Sequence, residues 1–209
     1  RGSAYDLLIS DNRLGCFVPG IPCVYMTHQL RFAFRQKWLA RLAAGMHAFW
    51  YRCFSELWVP DSPPPNNLSG VLSLPLSGDT PVYVGVLSQL STVLPLSVDL
   101  RYDIAVILSG PEPQRSRLEE ELLEQLERLT GHFVLVRGMP DEDTKVKTGE
   151  HIEVVPFAGA RQIAQIMAGS QIVVCRSGYS SILDLQQMRQ RALLIPTPGQ
   201  PAPEYLASW

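Results

Sequence analysis

A turn near residue 177 carries the residue types that bind phosphate. The sequence RSGYSS, residues 176–181, stands between a β-branched run typical of a buried strand and an apolar spacing typical of a helix. A helix N-terminus offers backbone N–H groups and a partial positive charge, and glycine lets a ligand approach the backbone closely. Ser177 and Ser180 add hydroxyl donors, and Asp184 could accept hydrogen bonds from sugar hydroxyls. An ordinary strand, turn and serine-capped helix explains the stretch equally well.

The other loops that follow predicted strands include a second Ser-Gly turn. In a parallel sheet the ligand crevice lies at the carboxyl ends of the strands, so the informative loops are 109–115, 137–138, 156–160 and 196–204. None of them contains a GxGxxG dinucleotide fingerprint or a GxxxxGK[ST] phosphate loop. GxSxG, HExxH and Cys/His zinc patterns are also absent from the sequence. These absences disfavour dehydrogenases, ATPases, serine hydrolases and zinc enzymes.

The elements that must position these turns alternate between strand and helix. The first part of the chain predicts strands at 5–10, 23–27 and 56–60 around a helix from 31 to 54, a β–α–β run typical of a parallel sheet. This helix is rich in aromatic residues and has a basic flank. A solvated basic face is the preferred interpretation, and an anionic membrane surface is the alternative. The flank is formed by Arg31, Arg35, Lys37 and Arg41.

The second part of the chain predicts a doubly wound parallel sheet. Residues 61–81 are rich in proline, serine and asparagine and are interpreted as a linker or an excursion between domains. We divide the chain into units 1–70 and 71–209. Strands are predicted at 82–88, 103–110, 132–138, 152–157, 172–175 and 192–198. The clearest helix places Leu118, Leu122, Leu126 and Leu129 on one face. Four glutamates of this helix are expected to point outward: Glu119, Glu120, Glu124 and Glu127.

The composition is that of a soluble globular α/β protein. Of the 209 residues, 46% are apolar and 18% charged, and no apolar run is long enough to span a membrane. Residues 1–60 hold seven Lys/Arg against three Asp/Glu, whereas the rest hold eleven against seventeen, which suggests two units with different partners. The four cysteines lack metal-like spacing and are expected to be free thiols. Both ends look cut, so we expect the middle of a longer protein.

Taken together, three motifs resemble the C-terminal domain of GT-B glycosyltransferases. They are LSGPEPQR, the segment from VVPFAGA to RSGYSSILDL, and ALLIPTPGQPAPEYLA, which together run from Ile104 to Ala207. The resemblance is closest to glycosyltransferase family 28 and implies two Rossmann-like parallel-sheet domains, the first one incomplete in this chain. Two departures stand out, because the family usually has Glu at the position of Asp184 and a glutamine pair at Pro203 and Glu204.

The resemblance also implies which residues bind the substrates. In the first unit, ISDNR and GIPCVYMTHQL resemble the end of the family's acceptor-binding domain. The implied donor-binding residues are Ser109, Gly110, Arg115, Phe157, Ala158, Arg176, Ser177, Gly178, Tyr179, Ser180, Asp184, Gln200 and Glu204. The implied acceptor-side residues are Asp11, Asn12, Arg13, Thr27, His28 and Gln29. Asp11 and His28 are the candidates for a catalytic role, although the family's usual base lies upstream of this sequence.

The implied activity is transfer of a sugar from a UDP-sugar to a hydroxyl acceptor, with no cofactor and no essential metal. Backbone N–H groups and a helix dipole would stabilise the departing diphosphate. The acceptor would be lipid-linked or another carbohydrate, with no role for nucleic acid, and the protein is expected in the cytoplasm, peripheral to the inner face of the membrane. Two alternatives stay open: a UDP-sugar hydrolase on the same scaffold, and a sugar-nucleotide-binding protein without catalysis.

Overall fold

The chain forms two compact units. The computed structural model describes residues 5–31, 45–47, 49–75, 78, 80–93, 98–139 and 148–196. The first unit extends to Leu87, and the second begins at Ser88. Within these described ranges, no helix combines the length and the apolar character needed to cross a bilayer.

The first unit contains a four-stranded parallel sheet in the order β1-β2-β3-β4. Its inner strand β2 is the most apolar, and the side chains of Cys23, Val24 and Tyr25 are buried. The parallel β–α–β arrangement predicted for this part is confirmed. The strands are β1 (Leu8–Asp11), β2 (Cys23–Met26), β3 (Glu56–Val59) and β4 (Val82–Tyr83).

Most of the helix predicted at 31–54 lies outside the described residues. Residues 45–47 and 49–51 are helical, and the ring of Trp50 packs 6.4 Å from that of Phe17. Phe49 is exposed. In the basic flank, the guanidinium of Arg31 donates to the carbonyls of Leu74 and Pro75, at 3.1 and 3.0 Å. Its other members, Arg35, Lys37 and Arg41, are outside the described ranges.

Residues 61–75 form a structured strap on the first unit, which agrees with an excursion rather than with an extended linker. Asp61 is completely buried, and its carboxylate accepts hydrogen bonds from the backbone N–H groups of Ser62, Leu68 and Ser69. The strap is fixed at its far end by the backbone of Leu30, whose N–H donates to the carbonyl of Leu72 at 2.8 Å. Backbone hydrogen bonds to a buried carboxylate close this loop despite its proline-rich composition.

The two units separate later than the sequence predicted. Only Val82 and Tyr83 of the predicted strand 82–88 pair with β3, and Gly85 leaves the strand direction with φ +80°. The Tyr83 hydroxyl donates to the carbonyl of Ser73 in the strap at 2.8 Å. Because β4 still completes the first sheet, the boundary lies after Leu87 and not after residue 70.

The second unit contains a five-stranded parallel sheet in the order β7-β6-β5-β8-β9. This doubly wound arrangement confirms the predicted fold class. The chain adds strands on one side of β5 and then crosses to the other side, so the topological switch point lies between β5 and β8. The elements are β5 (Tyr102–Ile107), α1 (Gln114–Leu126), β6 (Phe133–Val136), β7 (Ile152–Val155), α2 (Ala160–Ala168), β8 (Ser170–Arg176), α3 (Tyr179–Met188) and β9 (Ala192–Ile195).

Apolar residues cover both faces of this sheet. Ala105, Val134 and Val173 belong to one buried cluster, which α2 and α3 complete. The residues that follow them in the strands, such as Val106 and Leu135, belong to a second cluster that α1 covers. Near-continuous apolar strands are what a parallel sheet covered by helices requires. Each fully buried Val or Leu side chain contributes about 1.5–3 kcal/mol.

Helix α1 differs from its predicted orientation in two respects. Glu119 is buried and does not point outward, and Leu129 lies beyond the end of the helix with half of its surface exposed. Arg115, Glu119, Leu122 and Leu126 follow the spacing i, i+4, i+7, i+11, so they share one stripe of the helix. Glu119 therefore occupies an inward position on α1, although its charge had suggested a position on the outer face.

Candidate functional site

The carboxyl ends of β5 and β8 lie side by side at the switch point of the second sheet. Ile107, at the end of β5, is in register with Cys175, and Arg176 is the last residue of β8. Each strand leads through a short loop into a helix. In α1 the carboxylate of Glu112 accepts a hydrogen bond from the N–H of Ser116 in the first turn at 3.3 Å, whereas the N-cap residue of α3, Gly178, provides no side-chain cap. The N-terminus of α3 therefore opens beside this pair of strands, where doubly wound sheets bind ligands.

Arg176 supplies a buried positive charge at this point. Its side chain is only 6% exposed, and Nη2 donates to the carbonyl of Gln114 at 2.9 Å. Nη1 is buried without a hydrogen-bond partner among the described residues. A buried guanidinium nitrogen without a partner is costly, and an anionic ligand at this position would satisfy it.

Gly110 lies directly over the guanidinium of Arg176. Its φ is +106°, and a Cβ on this residue would lie 2.8 Å from Nη1 of Arg176. The positive φ favours glycine here, whereas the terminal nitrogen of Arg176 could move away from a Cβ. Ser109 and Gly110 are exposed.

The residues of the predicted RSGYSS turn, which follows β8, differ in their burial and in their place on the turn or the helix. Ser177 is buried, and its N–H donates to the carbonyl of Ile195 at 3.1 Å. Gly178 has φ −71° and ψ 143°, which any residue adopts, so a tight turn is not the reason for glycine here. Tyr179 begins α3, and Ser180 is exposed on its first turn.

Asp184 already has partners within the second unit. Its Oδ1 accepts a hydrogen bond from the Ser88 hydroxyl at 2.5 Å, and its Oδ2 lies 3.4 Å from Nε2 of Gln89. Asp184 and Ser181 also line a cavity of about 30 Å³ between the sheet, α2 and α3. Burial, together with the nearby Asp184 carboxylate, raises the pKa of the Cys175 thiol to about 12. Ser88 and Gln89 were not among the predicted site residues.

Arg115 forms an ion cluster with Glu112, Glu119 and Arg137. Its Nε and Nη1 lie 2.6 Å from the carboxylates of Glu112 and Glu119, and Nη2 donates to the hydroxyl of Ser116. Burial opposes its charge, but these carboxylates raise the pKa of Arg115 above its usual value. Arg137 binds the second oxygen of Glu119 at 2.7 Å. All three nitrogens of Arg115 are thus used within the protein, which does not favour the predicted contact with donor.

The remaining donor-side residues lie apart from the switch point or outside the described ranges. Phe157 is 53% exposed in the loop after β7, and Ala158 is buried in the core. The carbonyl of Pro156 accepts from the N–H of Met139 at 2.8 Å. Since β6 separates β7 from β5, this loop is the more distant part of the carboxyl edge. Gln200 and Glu204 are not among the described residues.

The predicted acceptor-side residues come together at the carboxyl edge of the first sheet. Asn12 has φ +54°, and its Oδ1 accepts from the hydroxyls of Tyr25 and Thr27 at 3.3 and 3.1 Å. The Thr27 hydroxyl in turn accepts from the N–H of Gln29 at 3.1 Å. The carbonyl of Arg13 accepts from the Ser10 hydroxyl at 2.6 Å. These contacts fix the loops after β1 and β2 against each other.

His28 lies in this cluster, and the pKa of its imidazole is shifted. Burial lowers its pKa, while the charges of Asp11 and Asp61 oppose that effect. A lowered pKa keeps the imidazole neutral at pH 7, the state in which it can accept a proton. Asp11 is the exposed last residue of β1. Asp61 was missed as a member of this cluster because it appeared to belong to a linker.

Two further features complete the survey of the described residues. A cavity of about 630 Å³ in the first unit is lined by Tyr25, Tyr51 and Phe54, and it reaches Glu56 and Val82 at the amino ends of their strands. Its lining includes Tyr25, whose hydroxyl donates to Asn12 of the acceptor-side cluster, but none of the predicted site residues. Within the described ranges, His, Cys, Asp and Glu side chains do not assemble in groups of three that could hold a metal ion.

Comparison with known proteins agrees with this architecture. Residues 114–204 match the family model described as the glycosyltransferase family 28 C-terminal domain. The chain is similar in structure to the glycosyltransferase SnogD from Streptomyces nogalater, with 17% identity, a TM-score of 0.56, and coverage of 97% of this chain and 57% of that one. It is also similar to the glycotransferase of kitacinnamycin, with 13% identity, a TM-score of 0.59, and coverage of 98% and 60%.

A third similar structure is MurG from Acinetobacter baumannii, with 14% identity, a TM-score of 0.50, and coverage of 89% of this chain and 48% of that one. A search of curated proteins found no match. The chain thus spans about half to three-fifths of the length of these structures. At such low identities the structures establish the fold alone. The chain therefore has the GT-B fold and resembles glycosyltransferase family 28, whose C-terminal domain its residues 114–204 match.

Proposed function

We propose that this chain is part of a glycosyltransferase that transfers a sugar from a UDP-sugar to a hydroxyl acceptor. The observation that carries the proposal is the buried Arg176, whose unpartnered Nη1 lies beneath Gly110 at the β5–β8 switch point. A diphosphate at this position would pair with the guanidinium and with the N-terminus of α3. The match of residues 114–204 to the family 28 domain supports a nucleotide-sugar as the ligand.

In this reaction a bond forms between the acceptor oxygen and the anomeric carbon of the sugar. The bond between that carbon and the diphosphate oxygen breaks, UDP leaves, and the acceptor proton passes to a base. Negative charge grows on the diphosphate as the bond breaks. Arg176 and the N-terminus of α3 are fixed donors that would stabilise this charge without reorganising, so no divalent ion is needed for it.

The rest of the donor would extend along the carboxyl edge of the second sheet. Ser109, Ser177 and Ser180, with the backbone of Tyr179, would surround the diphosphate. Asp184 would accept from the ribose hydroxyls, and Phe157 and Ala158 would present backbone groups to the uracil. Gln200 and Glu204 remain expected contacts of the donor sugar.

The acceptor side is proposed at the carboxyl edge of the first sheet. His28, held neutral by burial and beside Asp11 and Asp61, is the better candidate for the base that takes the acceptor proton. A lipid-linked acceptor would require work at the membrane surface, so we place the protein in the cytoplasm at the inner face of the membrane. Arg31 does not support a membrane contact, since its guanidinium binds the strap.

Calorimetry of the chain with UDP, UMP and uridine tests the donor site. UDP should bind most tightly, and its affinity should be the same in EDTA and in Mg²⁺. Arg176→Gln should weaken UDP by about tenfold or more, the effect of losing one charged hydrogen bond, and should leave uridine unchanged. Arg191→Gln, which alters an exposed arginine beside β9, is the matched control. Strict dependence on Mg²⁺, or equal losses for UDP and uridine, would contradict the proposal.

Turnover of UDP-sugars separates transfer from the alternatives. A transferase should release UDP in proportion to added acceptor, and a hydrolase should release UDP without an acceptor. A binding protein should release none, although it binds UDP.

A further inference from the structure

We propose that Ser88 is a positioning residue of the nucleotide site, which holds one carboxylate oxygen of Asp184 and leaves the other to the ribose. The inference rests on the proposed function, because it needs a nucleotide at the carboxyl edge of the second sheet. It adds a residue that lies 96 positions away from Asp184 in the sequence and outside the residues matched to the family 28 domain.

The contact between the two side chains is short and protected. The Ser88 hydroxyl donates to Oδ1 of Asp184 at 2.5 Å, and Ser88 is only 8% exposed. The same hydroxyl oxygen accepts from the N–H of Leu90 at 3.0 Å. A serine hydroxyl has one proton to donate, and an accepted N–H directs that proton away from the backbone. The proton of Ser88 is thus aimed at Asp184.

Ser88 is itself held by the segment that follows it. Its carbonyl accepts from the hydroxyl of Ser91 at 2.8 Å and from the N–H of Ser91 at 3.3 Å. Leu90 is completely buried in the core cluster that contains Ala105 and Val134. A ligand cannot displace the Ser88 hydroxyl without disturbing this anchored turn, so Oδ1 stays occupied.

The second oxygen of Asp184 is the one that a ligand can take. Oδ2 lies 3.4 Å from the amide of Gln89, a long distance for a hydrogen bond, and the Gln89 side chain is exposed. A ribose hydroxyl could replace this amide at little cost. Because Oδ1 is already fixed, the carboxylate loses little rotational freedom when the ribose binds, and such preorganisation raises affinity.

The test compares UDP with 2′,3′-dideoxy-UDP by calorimetry on the whole chain. The wild type should prefer UDP, and Asp184→Ala should abolish that preference. Ser88→Ala should weaken UDP by about two- to tenfold, because Asp184 is no longer held in place for the ribose, and leave the dideoxy ligand unchanged. Ser88→Thr keeps the hydroxyl and should restore the preference. Thr92→Ala removes an exposed hydroxyl from the same turn that contacts neither Ser88 nor Asp184, and it should have wild-type selectivity.

The outcomes separate this inference from the proposed function. Equal losses of both ligands in Ser88→Ala, or unchanged binding of both, would make Ser88 purely structural and overturn the inference. Tighter UDP binding would mean that Ser88 competes with the ribose, which also overturns it. If the wild type and Asp184→Ala both fail to distinguish the ligands, the proposed ribose role of Asp184 fails instead, and the inference with it. Ser88→Cys, which has a weaker donor and should show intermediate selectivity, decides the matter if Ser88→Ala does not fold.

Discussion

Gly110 combines a positive φ with a position next to the buried guanidinium of Arg176. Its positive φ disfavours a side chain, and a Cβ would also approach Nη1 of Arg176. The absence of a side chain leaves more room around the guanidinium of Arg176. This arrangement supports our proposal that the loop after β5 binds an anion, although it lacks the glycine-rich phosphate loops of other nucleotide-binding proteins.

Gly110→Ala should reduce both stability and ligand affinity. The substitution forces a side chain into a strained backbone conformation and against Arg176, at a cost of about 1–3 kcal/mol. Urea unfolding measures the stability, and calorimetry with UDP measures the affinity. Gly15→Ala, where no atom lies within 4 Å and φ is not positive, should change neither quantity. Unchanged UDP affinity in a folded Gly110→Ala protein would separate this loop from the ligand site.

At this scale the sequence identified candidate residues but not their partners. Ser177, Gly178 and Asp184 stood out because their types and spacing follow a strand. The ion pair of Arg115 with Glu119 has the i, i+4 spacing that a sequence shows, and it could have been predicted. The contact of Ser88 with Asp184 could not, because no local pattern relates residues 96 positions apart.

Helix α1 holds a buried ion cluster against the sheet. Glu119 lies between Arg115 and Arg137, and the side chains of all three are buried. The Arg115 guanidinium also donates to the carbonyl of Arg137 at 3.2 Å. The cluster thus ties the first turns of α1 to the end of β6, next to the loop that contains Gly110.

Glu119→Gln should be strongly destabilising. It leaves two buried guanidinium groups without their shared carboxylate, and breaking a buried ion pair costs about 3–5 kcal/mol. Urea unfolding should show this loss. Glu120→Gln alters the exposed neighbour and should stay within about 0.5 kcal/mol of the wild type. A loss below 1 kcal/mol in Glu119→Gln would mean that the cluster is dispensable.

Elements with a simple apolar pattern were predicted well, and elements held by polar contacts were not. The buried strands of the second sheet and the helices α1 and α3 appear where their apolar patterns placed them. The strap at 61–75 has the composition of a linker, while a single buried carboxylate, Asp61, organises it. The composition of a segment indicates whether it tends to be irregular, but hydrogen bonds to one buried carboxylate can still give it a defined structure.

At the scale of the whole molecule, the donor-side candidates that the structure describes belong to the second unit. The residues from Ser109 to Asp184, and the newly assigned Ser88, follow the boundary at Leu87. The first unit has its own sheet and its own polar cluster at a carboxyl edge. Charge and composition placed the division near residue 70, whereas the compact units divide after Leu87 because β4 pairs with β3 in the first sheet.

A fragment that begins at Ser88 should fold and bind UDP with an affinity close to that of the whole chain. All the groups proposed to contact the diphosphate and ribose are contained in it, and EDTA should not alter the binding. Circular dichroism checks folding, and calorimetry checks affinity. The complementary fragment that ends at Leu87 is the control and should not bind UDP. A folded second unit without UDP affinity would show that the first unit contributes to the donor site.

The strand order of the second sheet determines the order in which its strands can pair while the chain is being synthesised on the ribosome. β5, β6 and β7 can pair one after another as they emerge, but the other edge of β5 stays open until Ser170–Arg176 has been synthesised. An open edge of a growing sheet can pair with the wrong chain. Because β8 supplies Arg176 and precedes α3, the proposed anion-binding crevice and the closure of this vulnerable edge arise in the same late step.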